Sequence, residues 1–107
     1  MTAFDERRHG FEAKFAHDEE LRFKATSRRN RLLGLWAAEK LGRTGEDAEA
    51  YAREVVRADF EEAGDRDVFR KIRDDFNVKS IAVTDQQIRA VMSELLAKAV
   101  EQIKAGV

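Results

Sequence analysis

The chain has 107 residues, no proline and no cysteine, with 43% apolar residues, 38% charged residues and a formal net charge of -1. That length fits one domain, and the missing cysteines exclude disulfides and thiolate metal sites. The near-neutral balance gives no general attraction to nucleic acid or lipid, and no apolar run approaches the ~20 residues of a membrane span.

Residues 1–20 read MTAFDERRHGFEAKFAHDEE. Their large apolar side chains, Phe4, Phe11 and Phe15, are spaced seven and then four, which makes one narrow stripe on a helix surrounded by charge. Gly10 interrupts that stripe and weakens an isolated helix by about 1 kcal/mol. Three rings bury too little to hold a fold by themselves, so residues 1–19 are expected to be a mobile segment with a helical bias. They contain no h-region of a secretory signal, and the chain is expected to be cytoplasmic.

The next stretch, Leu21 to Leu41, predicts the central helix. Leu21, Ala25, Leu32, Leu35 and Trp36 share one face, and Leu33, Ala37 and Ala38 carry apolar surface most of the way round. A helix apolar on nearly all sides needs neighbours on more than one side. Two residues in it are odd for a plain core helix: Gly34, in the middle, and Arg28, inside the apolar arc. Gly42 terminates it. Thr44 with Asp47 predicts the cap of a second helix, with Ala48, Tyr51, Ala52, Val55, Val56 and Ala63 inward, up to Gly64. Asp59 falls inside that apolar arc.

Asp65 is expected to cap a third helix with Val68, Phe69, Ile72 and Phe76 inward. Asn77 to Val83 reads as a loop. Thr84 and Gln87 form a capping box for the last helix, and Val83 can staple to Ile88. Ile88, Val91, Met92, Leu95, Leu96, Ala99, Val100 and Ile103 line its buried side. The expected fold is an all-α four-helix bundle over residues 20–107, preceded by the mobile N-terminal segment 1–19.

Catalytic machinery is missing. The two histidines, His9 and His17, both lie in the mobile segment, where no triad can position them. They titrate near neutrality and could at most confer pH sensitivity. The run Asp18-Glu19-Glu20 matches no standard metal-ligand spacing, and Gly42-Arg43-Thr44-Gly45 lacks the length and lysine of a P-loop. The densest positive patch is Lys24, Arg28, Arg29 and Arg31, with Arg22 beside it. It is either a solvated face or a phosphate-binding surface suited to forked guanidinium donors. A buried guanidinium and a buried carboxylate on separate helices are each costly alone. Arg28 is therefore expected to pair with Asp59, or to meet a ligand anion instead.

The words FEAKFAHDEELRFKA, RRNRLLGLWAA, ADFEEAG and DVFRKIR occur in this order across most of the chain. Together they resemble the zeta subunit of alphaproteobacterial F-type ATP synthases. The resemblance implies a regulatory inhibitor, not an enzyme, that blocks ATP hydrolysis by the F1 catalytic head. Its partners would be the alpha, beta and gamma subunits of that head, and it would be a monomer when free. It would lie in the cytoplasm, peripheral to the inner membrane through the ATP synthase, with no membrane insertion of its own. The N-terminal segment would be the inhibitory element, here with Phe4, Phe11, Lys14, Phe15 and His17. No cofactor is required, but ADP or ATP is implied as a regulatory ligand of the bundle, and Lys24, Arg28, Arg29 and Arg31 are the candidate phosphate contacts. Two alternatives remain: a stand-alone nucleotide-sensing module and a structural adaptor.

Overall fold

The computed structural model describes residues 2–59 and 65–106, with side chains from Glu19 onward. Its helices are α1 (Thr2–Lys40), α2 (Gly45–Ala58), α3 (Arg66–Val78) and α4 (Asp85–Lys104), and no strand occurs among the described residues. The all-α bundle is as expected. α1 packs against both α2 and α4, and α3 closes the far side against α2 and α4. It begins far earlier than Leu21, so the backbone helix passes through the expected 19/20 boundary without a break. The stripe of Phe4, Phe11 and Phe15, together with Lys14, His17 and His9, lies outside the described side chains.

Local chemistry sets the other boundaries. Gly42 takes φ +79°, and two bonds wrap the end of α1: Gly42 N donates to Glu39 O at 3.1 Å and Arg43 N to Ala38 O at 2.9 Å. A left-handed glycine closing that pair of bonds satisfies carbonyls the helix would otherwise orphan. α3 ends the same way, with Ser80 at φ 57° and Ile81 N donating to Phe76 O at 2.8 Å. α4 starts with the expected capping box: Gln87 N donates to Thr84 Oγ1 at 3.1 Å, and Thr84 N to Gln87 Oε1 at 2.8 Å. Thr44 does sit at the cap position of α2, but its hydroxyl makes no capping bond. Described helix in α2 stops at Ala58, and the expected continuation to Ala63 and Gly64 lies outside the described residues.

The core joins Leu33, Ala37 and Ala38 of α1 to Tyr51 and Val55 of α2, Val68, Ile72 and Phe76 of α3, and Ile88 and Met92 of α4. Trp36 packs edge-on against Phe76, with ring centroids 5.7 Å apart. The fully covered column of α1 is Ala25, Arg29, Leu33 and Ala37, four apart, with Asn30, Gly34 and Ala38 beside it. The bulkier Leu21, Leu32, Leu35 and Trp36 flank that column and are only half-buried. Small residues occupy the line of closest approach because there α1 and α2 meet backbone to backbone. A Cβ on Gly34 would stand 2.6 Å from Ala52 Cα.

Candidate functional site: the basic stretch of α1 and its partners

Rotating the buried column by one residue decides what each basic side chain can do. Arg29, not Arg28, is the buried guanidinium, only 2% exposed. Its Nη2 donates to Asp65 Oδ1 at 2.7 Å and its Nε to Asn30 Oδ1 at 2.8 Å. Asp65 was expected to cap α3. Its carboxylate is turned to Arg29 instead, and α3 begins without a side-chain capping bond.

The expected Arg28–Asp59 ion pair is corrected by the same shift. It does not occur among the described contacts, and Arg28 is half-buried. Asp59, the residue that ends α2, faces Asn30 and Arg29. Burial raises its carboxyl above the ordinary value, while the Asn30 amide and then the Arg29 charge pull it down and the neighbouring Asp65 pushes it up. Asn30 is 1% exposed, and among the described residues its Nδ2 closes no full hydrogen bond. Arg29 thus ties Asp65, at the start of α3, to α1, and Asp59, at the end of α2, faces the same buried pair.

Of the four candidate phosphate contacts, Lys24 pairs with Glu20 at 3.2 Å one turn away, and Arg29 is committed to Asp65. Arg31 forks onto Glu49 of α2 at 3.0 and 2.9 Å. The four therefore do not converge. Arg31 instead joins two arginines that the sequence reading passed over, Arg53 and Arg57, one turn apart on α2. They rim a groove of about 340 Å³ between α1 and α2, floored by Ala52 and Val56. The i, i+4 spacing of Arg53 and Arg57 on a helix face was the available signal.

A wider cleft of about 430 Å³ between α2 and α3 alternates Glu54, Arg57, Asp67, Arg70, Lys71 and Asp74, so its charges largely cancel. Behind it Tyr51 donates to Asp75 Oδ2 at 2.7 Å, and Lys71 bridges Asp75 and Glu54 at 3.2 and 3.3 Å. Burial first, and then the bond to Asp75, raise the Tyr51 phenol far above its ordinary value, which makes it a fixed donor and no acid. Among the described residues no group of three or more potential ligands could hold a metal ion. Nothing in this arrangement pairs a nucleophile with a base; the described surface can bind and brace.

The family model for ATPase inhibitor subunit zeta matches residues 1–102. The chain belongs to that family. A protein whose structure was solved by solution NMR is 47% identical and superposes with a TM-score of 0.72, covering 81% of this chain and 99% of that one. No curated protein matches. Membership carries an inhibitory, regulatory role and association with the ATP synthase F1 head. The all-α bundle described above is the body of such an inhibitor, and no helix among the described residues is long and apolar enough to cross a membrane.

Proposed function

We propose that this chain blocks ATP hydrolysis by inserting residues 1–19 into a groove between subunits of the F1 head, with the bundle as the body that positions them. What supports the reading is the family match over residues 1–102, taken with the continuity of α1 from that segment into the core. Eighteen helical residues reach about 27 Å from the bundle at 1.5 Å per residue. Burial of Phe4, Phe11 and Phe15 in such a groove would supply the apolar contact, and the helix that α1 already gives the segment's backbone lowers the cost of ordering it there. Flanking charges such as Lys14 and His17 then set register and partner. A helix wedged at a catalytic interface opposes the closure that hydrolysis requires.

The deciding experiment measures ATP hydrolysis by purified F1 with the full chain and with residues 1–19 removed. Truncation should abolish inhibition and leave the thermal unfolding of the bundle nearly unchanged. Full inhibition by the truncated protein would put the inhibitory surface on the bundle and overturn the mechanism.

ADP or ATP is the regulatory ligand within the same reading. Of the expected contacts Arg31 keeps its place, joined by Arg53 and Arg57, because three guanidiniums around an apolar floor suit a polyphosphate bearing a flat base, whose phosphates would displace Glu49 from Arg31. Amide chemical shifts during an ADP titration should move on the facing sides of α1 and α2. Shifts confined to α4 would refute that location without touching the inhibitory role.

A further inference from the structure

Where α1 enters the bundle, the last turn of α4 packs beside it and leaves a small cavity of about 190 Å³. Its walls are Leu21, Val100 and Ile103, all half-buried aliphatics, and its rim is Arg22 and Lys104, both exposed. We infer that this cavity is a second docking point for the F1 head, taking one large apolar side chain from a helix that carries carboxylates on either flank. The inference rests on the inhibitory reading above and goes beyond it, because it assigns the bundle a contact of its own.

Three observations select that occupant. The volume matches roughly one bulky side chain, since water fills about 30 Å³ per molecule and an aliphatic wall offers water no partner. The two rim cations come from different helices and straddle the opening, so an incoming surface is met by positive charge on both sides. Glu19 and Glu101, each three residues before a rim cation, are exposed and do not line the cavity. Finally, Leu21 follows the inhibitory segment by two residues. Any surface that grips residues 1–19 therefore comes within reach of the cavity, and a peg seated there would set the angle at which α1 leaves the bundle. The energetic logic is that of a linked pair of contacts: once the segment is held, the second contact forms intramolecularly.

The test uses the full chain and purified F1. Reversing both rim charges, Arg22→Glu with Lys104→Glu, alters exposed side chains, so thermal unfolding should not move. The concentration needed for half-inhibition should rise by about tenfold, with most of the rise at low salt. Because the chain has no cysteine, Ile103→Cys carrying a thiol-linked photo-crosslinker reports the neighbour directly. The adduct should map to a carboxylate-bearing helix of F1, whereas the same probe at Val78, 80% exposed on α3, should give none there. Unchanged inhibition by the reversal variant, or an adduct only to a second copy of this chain, overturns the docking point. Failure of the unmodified chain to inhibit F1 would instead remove the functional reading itself.

Discussion

Two places fasten α1 to α2 and α3, and they do so by opposite physics. Along the seam between α1 and α2, Gly34 lies against Ala52 and Val55 with no polar atom involved, and the fit is set by the absence of a side chain. At the corner where α2 gives way to α3, Arg29 and Asn30 are buried, Arg29 bonds Asp65, and Asp59 faces both. The seam excludes volume, whereas the corner must satisfy charge. A seam of this kind tolerates no addition but is indifferent to pH and salt. A corner of this kind tolerates changes of volume but not a buried charge left without its partner. The difference makes the α1–α2 seam a matter of fit and the setting of Asp59 and Asp65 a matter of electrostatics.

The largest effect should come from filling the seam. A Cβ at position 34 would lie 2.6 Å from the Ala52 Cα, 3.2 Å from its Cβ and 3.3 Å from Val55 Cβ, and backbone cannot step aside as a flexible side chain can. Gly34→Val should cost about 3 kcal/mol or more through overpacking. Gly34→Ala is the sharper version. It gains about 1 kcal/mol of helix propensity and should still lose about 1–2 kcal/mol net in urea unfolding. A Gly34→Ala protein more stable than the parent would show that the seam yields and would erase the contrast.

At the corner the asymmetry runs the other way from intuition. Asp65 is 59% exposed and Arg29 only 2%. Arg29→Met removes a buried charge, keeps most of the volume, and leaves a solvated carboxylate; its main cost is the lost donor to Asn30 Oδ1, about 1–2 kcal/mol. Asp65→Ala strands the guanidinium inside. It should cost about 2–3 kcal/mol, below the usual 3–5 for breaking a buried pair because Asp59 sits near enough to share the charge. Asp65→Ala should therefore hurt more than Arg29→Met, and the double variant should be no worse than Arg29→Met alone. Simple additivity in the cycle would mean that Arg29 and Asp65 act independently.

These two places also mark how far the sequence could be read. The helix ends at Gly42 and at Thr84 with Gln87 came through because those residues act within four residues of themselves, whereas Thr44 makes no capping bond and Asp65 is turned to Arg29. The four-helix architecture followed from apolar period alone. The facing of α1 did not, because bulk is a misleading guide when helices approach closely. Leu32, Leu35 and Trp36 carry the most apolar area, yet they flank the contact, while Ala25, Gly34, Ala37 and Ala38 occupy its centre. Centring the arc on the large residues moved the buried guanidinium from Arg29 to Arg28 and with it the expected ion pair. Gly34 was recognisable as odd, but its reason, Ala52, lies on another helix. The Arg31, Arg53 and Arg57 groove was half legible: Arg53 and Arg57 share a face of α2, but Arg31 joins them only once α1 and α2 are docked.

The smallest effect is the one that reports whether the corner attracts or merely tolerates its second carboxylate. The folded-state value of Asp59 is raised, with burial as the leading cause, against an unfolded value near 3.9. The folded chain then holds a proton at a pH where the unfolded chain has released it. Stability from this group rises as pH falls through the folded value, and its cost is present in full above that value. This is the reverse of the usual salt-bridged aspartate. Asp59→Asn keeps the shape and an acceptor for the Asn30 amide but removes the charge. It should stabilise the bundle at pH 7 by no more than about 0.5 kcal/mol. The gain should shrink on acidification and vanish below the unfolded value. Urea unfolding of parent and variant at pH 7 and pH 3 reads both quantities. If the variant is instead less stable at pH 7 and its deficit shrinks only as pH falls below the unfolded value, the charges of Arg29 and the Asn30 dipole outweigh burial. The corner would then be a net electrostatic clasp on both aspartates, not a pair with Asp65 and a tolerated neighbour.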